Sequence, residues 1–213
     1  MTSTWPPRAG LTTPIMPREN AVFQISASIE ISAPAIVVWK QLLDTAEWSS
    51  WNTFVPRVKI KSQPDGVEAD SKTLHVGTIM VFEVVMDPAK PNKVNATGLK
   101  VVDLSTPDKP TTYVSKELLE EEDGSFTSDL SKVYRASWKL EGGYVERGLK
   151  SQRFNEIIIT GENTCELRSW ECYGGILGRT LKWMYYQTLQ DRFADWCRDV
   201  KTQSEKVYNE FGP

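Results

Sequence analysis

Along FQISASIEIS, Phe23, Ile25, Ala27, Ile29 and Ile31 share one parity, and Gln24, Ser26, Ser28 and Glu30 share the other. A period of two predicts a half-buried strand. PAIVVWKQLLD follows, with Ser32 as a capping residue and Pro34 in the first turn, and predicts a short helix. TAEWSSWN, with Trp48 and Trp51 three apart, predicts a second short helix or turn. FVPRVKIKSQ is a second strand with Phe54, Val58 and Ile60 inward and Arg57, Lys59 and Lys61 outward. A turn at Asp65-Gly66 precedes TIMVFEVVMD, which is apolar on both parities, so either both of its faces are covered or one lines a cavity. ATGLKVVDLS alternates weakly, and KVYRASWKLE cleanly, with Tyr134, Ala136, Trp138 and Leu140 inward. SQRFNEIIIT and CELRSWECYG complete seven strands around the turn residues Gly161-Glu162-Asn163. From Leu177 to about Glu210, apolar residues recur in steps of three and four at 181, 185, 189, 193, 196, 200 and 207, which predicts one long amphipathic helix.

The order is strand, two short helices, six strands and a long helix. It lacks β-α-β alternation and so indicates an α+β fold with an antiparallel sheet. The C-terminal helix is the one element long enough to cover a curved seven-stranded sheet, and an apolar cavity between helix and sheet is the expected by-product. Two segments stand apart. Residues 1–20 hold Pro6, Pro7, Pro14 and Pro17 with no apolar period and read as a disordered tail, leaving one domain over 21–213. Between Asp103 and Ser131 lie eight acids and two lysines. This acidic insertion, at about 104–131, reads as a solvated loop or hairpin, or as a lid or docking element over a pocket mouth.

Composition narrows the function. The 213 residues are 40% hydrophobic and 25% charged, with a net charge of -3, which suits a globular domain and gives no basic footprint for nucleic acid. No apolar run is long enough for a transmembrane segment, and the N-terminus lacks a signal-peptide core, so a cytoplasmic location is expected. Cys165, Cys172 and Cys197 then read as reduced thiols. No glycine-rich nucleotide motif is present, His75 is the one histidine, and the cysteines lack metal spacing, so neither cofactor nor metal is expected. His75 itself reads as a surface or turn residue.

IEISAPAIVVWKQLLDTAEWSSWNTFVPRV resembles the opening of the START/Bet v 1-like superfamily (SRPBCC), with its polyketide cyclase/dehydrase-like and lipid-transfer members. The shared features are the I-x-A-P strand end, V-W-x-x-L-x-D in the helix and the W-x-x-W-N turn. RFNEIIITGENTCELRSWECYGGILGRTLKWMYYQTLQDRFADWCRDVKTQSE is similar to the last hairpin and helix of fungal-type members. Together these stretches span residues 22–63 and 149–210. The resemblance implies a helix-grip fold, with the sheet wrapped around the C-terminal helix and a hydrophobic ligand held between them. It implies no single chemistry, because carriers, sensors, cyclases and hydrolases share the scaffold.

In the last strand Glu166 and Arg168 pair outward, so Leu167, Ser169, Glu171 and Tyr173 face inward. An inward carboxylate has a raised pKa unless a cation pairs with it, and Arg153, Arg179 and Lys182 are the available partners. Candidate ligand contacts are Tyr134, Trp138, Glu171, Tyr173, Leu181, Tyr185, Val81 and Glu83. Glu83 either points outward or is a second buried acid. Two functions stay open. One is a carrier or sensor for a lipid, polyketide, terpenoid or quinone, with transient membrane contact allowed. The other is a cofactor-free cyclase, isomerase or dehydratase with Glu171 as acid/base and Tyr134 or Tyr173 on the oxyanion. Oligomeric state is not read from the sequence.

Overall fold

The computed structural model describes residues 5–142 and 147–211. β1 (Phe23–Ile31) leads into α1 (Ala35–Leu43) and α2 (Trp48–Trp51). β2 (Arg57–Ser62), β3 (Ile79–Val85) and β4 (Val94–Ser105) follow, then α3 (Lys116–Leu119), β5 (Val133–Leu140), β6 (Lys150–Gly161), β7 (Thr164–Gly174) and α4 (Ile176–Phe211). All seven strands form one antiparallel sheet in the order β1-β7-β6-β5-β4-β3-β2. This is the helix-grip arrangement expected from the sequence. Pro34, rather than Ser32, occupies the N-cap of α1, and the Ser32 amide donates to Glu205 on α4 at 2.8 Å. No helix among the described residues is long and apolar enough to cross a membrane.

One sheet face packs under α4. Ile25, Ala136, Trp138 and Leu167 meet Leu189, Phe193, Trp196 and Val200, with Trp48 and Val38 of the short helices closing one end. A register shift between Val101 and Asp103 lets Leu99, Val101 and Leu104 all face this core while Asp103 turns away. The β7 register runs unbroken from Cys165 to Tyr173, so its inward parity holds. Gly175, at φ +88°, makes the turn into α4, and a Cβ there would lie 2.5 Å from the Gly148 carbonyl.

The opposite face is also covered, which departs from the expectation of a disordered N-terminal tail. Leu11, Thr12, Thr13 and Met16 are buried against Trp170, Phe154 and Cys172. The Leu11 amide and carbonyl pair with the Gln24 side chain at 2.6 and 2.7 Å, and Trp170 Nε1 donates to the Thr12 carbonyl. Residues 5–20 are therefore a cover anchored through main-chain groups rather than a tail, and residues 1–4 of that expectation lie outside the described residues. The acidic segment lies on the same face. Val114 and Phe126 enter this second core and Ser125 binds the Thr12 amide, so the segment is a surface loop pinned to the sheet, with most of its acids exposed as expected, and it does not lid the cavity under α4.

Beneath this cover, Arg135 of β5 and Glu156 of β6 form a 2.8 Å ion pair with both side chains fully buried. The Thr127 amide and hydroxyl donate to the same carboxylate at 3.0 and 2.8 Å, which offsets part of its desolvation. Truncating one partner strands a buried charge. Glu156→Ala is expected to cost about 3–5 kcal/mol of unfolding free energy in a denaturant titration, whereas a loss under ~1 kcal/mol would mean that the pair behaves as a surface contact.

Candidate functional site

A cavity of about 530 Å³ lies between the N-terminal half of α4 and strands β3 to β7. Phe82, Val84, Leu99, Trp138, Leu140 and Leu149 supply apolar wall from the sheet, Phe54 and Val55 from the loop before β2, and Leu181, Tyr185 and Leu189 from α4. Asn95 and Thr97 of β4 add polar groups, and four further polar side chains form a cluster: Ser151 and Arg153 on β6, Glu171 and Tyr173 on β7. They meet because the strands are in register, Ser151 opposite Tyr173 and Arg153 opposite Glu171, with each pair on the face that points at α4.

Glu171 lines the cavity, and burial raises its pKa above the usual carboxylate value. The nearby Arg153 charge and hydrogen bonds from Ser151 and Tyr173 oppose that rise without cancelling it. Tyr173 is buried beside the carboxyl, which lifts its own pKa well above normal. Its ring is fixed by stacking on Phe23, with centroids 4.5 Å apart. Arg153 does not fork onto the acid. Its Nε and Nη2 donate to Ser169 Oγ at 3.2 and 3.1 Å, and the Ser169 hydroxyl in turn donates to Asn155 Oδ1 at 2.9 Å. The guanidinium lies 4.0 Å from the Phe193 ring centroid and 4.3 Å from that of Trp196. Desolvation lowers its pKa to about 10, against the pull of the Glu171 charge, so it remains a cation at neutral pH. The result is a hydrophobic chamber with a hydrogen-bonded acid and a stacked cation on one wall, able to hold a carbonyl or hydroxyl or to move a proton.

Of the eight expected contacts, Trp138, Glu171, Tyr173, Leu181 and Tyr185 line this cavity. Tyr134 does not. It faces the same side of the sheet, but farther along β5, where its ring meets Trp39 of α1 at 5.5 Å. Val81 and Glu83 are also corrected. Met80, Phe82 and Val84 take the inward parity of β3, which leaves Val81 and Glu83 on the outer face. There Glu83 pairs with Lys59 and Arg57 of β2, and both cations hold its carboxyl below the usual value. Ser151 and Arg153 were missed as wall residues, although S-x-R-x-N at 151, 153 and 155 places three polar side chains on one parity of a strand otherwise rich in apolar residues. His75 lies in the loop before β3, away from the cavity. The three cysteines are buried free thiols, with Cys165 and Cys197 pushed up to about 12, so none is poised as a nucleophile.

Comparison with known proteins agrees with this geometry. A family described as polyketide cyclase/dehydrase and lipid transport matches residues 22–150. The oxopyrrolidines biosynthesis cluster protein O of Penicillium oxalicum is 31% identical over 178 residues, covering 81% of this chain and 82% of its own. Among solved structures, an aromatase/cyclase of Streptomyces sp. R1128 superposes with a TM-score of 0.58 at 10% identity, over 87% of this chain and 94% of the other. The major latex-like protein 151 of Panax ginseng gives 0.56 at 11%, over 85% and 97%. The fold is that of the START/Bet v 1-like superfamily. Within it, the chain belongs to the polyketide cyclase/dehydrase and lipid transport family.

The raised pKa of Glu171 has a consequence for stability. An acid with a higher pKa folded than unfolded holds its proton longer in the native state. Stability therefore falls as pH rises from the ordinary carboxylate pKa through the raised one. Glu171→Gln removes that loss. Thermal unfolding should show the variant gaining on the native protein at neutral pH and not in acid. An equal shift at both pH values would mean that the charge of Glu171 is not what strains the fold.

Proposed function

We propose that the protein binds a hydrophobic or amphipathic small molecule of lipid, polyketide, terpenoid or quinone type in the cavity under α4, as a carrier or sensor. The observation that carries this reading is the lining itself, mostly apolar, with the Ser151–Arg153–Glu171–Tyr173 cluster gathered on one wall and only Asn95 and Thr97 of β4 as further strand-borne polar groups. Burial of ligand surface would drive binding at about 25 cal/mol per Å². The polar cluster would orient one oxygen-bearing end, with Tyr173 and Glu171 as hydrogen-bond partners and Arg153 as the positive pole. The biosynthesis-cluster name of the Penicillium relative supports a secondary metabolite as the occupant.

A second reading is favoured by the environment of Glu171. A desolvated acid with a raised pKa, hydrogen-bonded to a tyrosine, is the equipment of a general acid/base. As a cofactor-free cyclase, isomerase or dehydratase, the protein would use Glu171 to move a proton alpha to a carbonyl. Tyr173 would hydrogen-bond the developing oxyanion. The cyclase among the structural neighbours has the same scaffold. Tyr134 has no part in either reading, because it lies outside the cavity.

The test uses anilinonaphthalene sulfonate as an apolar fluorescent probe. Uptake should be saturable and should fall at least ~10-fold in Val84→Phe, which fills the chamber from β3, while thermal unfolding stays within a few degrees of native. Equal uptake by both proteins would place the probe elsewhere and remove the support for a ligand chamber. Glu171→Gln then separates the two functions. A carrier should lose less than ~10-fold in probe affinity and change no metabolite in its host. An enzyme should keep the affinity and let its substrate accumulate.

A further inference from the structure

The outer side of the turns that close the cavity is apolar and uncovered. Ile176 and Trp183 are each 86% exposed, and Met184 is 52% exposed. In a helix of 3.6 residues per turn, Ile176, Arg179, Thr180 and Trp183 lie along one outward stripe, with Met184 and Lys182 at its margins. Leu181 and Tyr185 of the same turns point the other way, into the cavity. From Cys172 to Gln190 the chain has no acidic residue and two basic ones, in a protein whose net charge is -3. Both Arg179 and Lys182 are exposed. Lys182 Nζ donates one bond to the Val22 carbonyl at 3.4 Å and keeps its charge at the surface.

We infer that this end of α4 docks the protein on an anionic lipid surface, with Trp183 and Ile176 seated among the headgroups and Arg179 and Lys182 against lipid phosphates and carboxylates. Exposed tryptophan and isoleucine flanked by cations, in a stretch of chain that carries no acid, match the amphipathic and charged layers of a bilayer interface. A second copy of this chain is a poor occupant. A two-fold contact through the stripe would bring Arg179 and Lys182 of one copy against their counterparts, and the stripe itself holds no acid to separate them. The inference is independent of what the cavity holds, although docking there would set the closing turns of the chamber on the membrane.

The test is co-sedimentation with vesicles of phosphatidylcholine alone and of equimolar phosphatidylcholine and phosphatidylserine. The protein should associate with the anionic vesicles and lose that association in high salt. Arg179→Gln/Lys182→Gln should weaken it about 30-fold, and Ile176→Ser/Trp183→Ser at least ~10-fold. Probe uptake by the cavity in vesicle-free buffer should not change in either variant, which separates failure of docking from failure of the chamber. Three results would overturn the inference: no association with either vesicle, equal association with both, or a concentration-dependent dimer that Ile176→Ser/Trp183→Ser dissolves.

Discussion

One helix cannot fill the hollow of a seven-stranded sheet, and the rest of the molecule follows from that mismatch. Where α4 lies close to the strands, Trp196, Phe193 and Val200 pack against Ile25, Trp138 and Leu167 with little space left. Along its N-terminal half, only Leu181, Tyr185 and Leu189 of the helix reach in over strands β3 to β7. The space left over is the cavity. The fold tolerates it because the two strands crossing its floor, β6 and β7, are covered on both faces and held in one register from Lys150 to Ile159.

That second covering layer changes the meaning of the irregular segments. Residues 5–20 and the acidic stretch together bury Trp170, Phe154 and the Arg135–Glu156 pair from the outside. The same two strands carry Ser151, Arg153, Glu171 and Tyr173 inward. A strand wetted on its outer face would be free to flex. Here Gln152, Phe154 and Glu156 are each fixed on the outer side, between the residues that form the polar wall. The outer cover thus serves the site by stiffening its floor, although none of its residues lines the cavity.

Patterned elements were legible in the sequence, and unpatterned ones were not. The alternation of β1, β5 and β7 and the long period of α4 placed Trp138, Glu171, Tyr173, Leu181 and Tyr185 correctly, because each lies in a segment with one clear buried face. β3 is apolar on both parities, so its pattern carried no sign: Glu83 stayed open between the two faces, and it and Val81 were counted as cavity contacts although both lie outside. Alternation gives the face of Tyr134 but not its position along the strand, and it sits beneath α1 instead of at the cavity. Leu11–Met16 escaped notice because such a segment binds through its amides and carbonyls, whose partners, Gln24 and Trp170, leave no periodic trace. Arg153 was legible in principle from the polar parity of β6, but a polar row is normally read as facing water.

The central claim is that the chamber holds a small apolar molecule with one polar end at the Glu171 wall. Native mass spectrometry of the protein purified from its own host tests this most directly. The account predicts added mass corresponding to one small molecule per chain, extractable into organic solvent and carrying an oxygen-bearing group. A protein recovered empty, and still empty after incubation with an organic extract of its host, would contradict it.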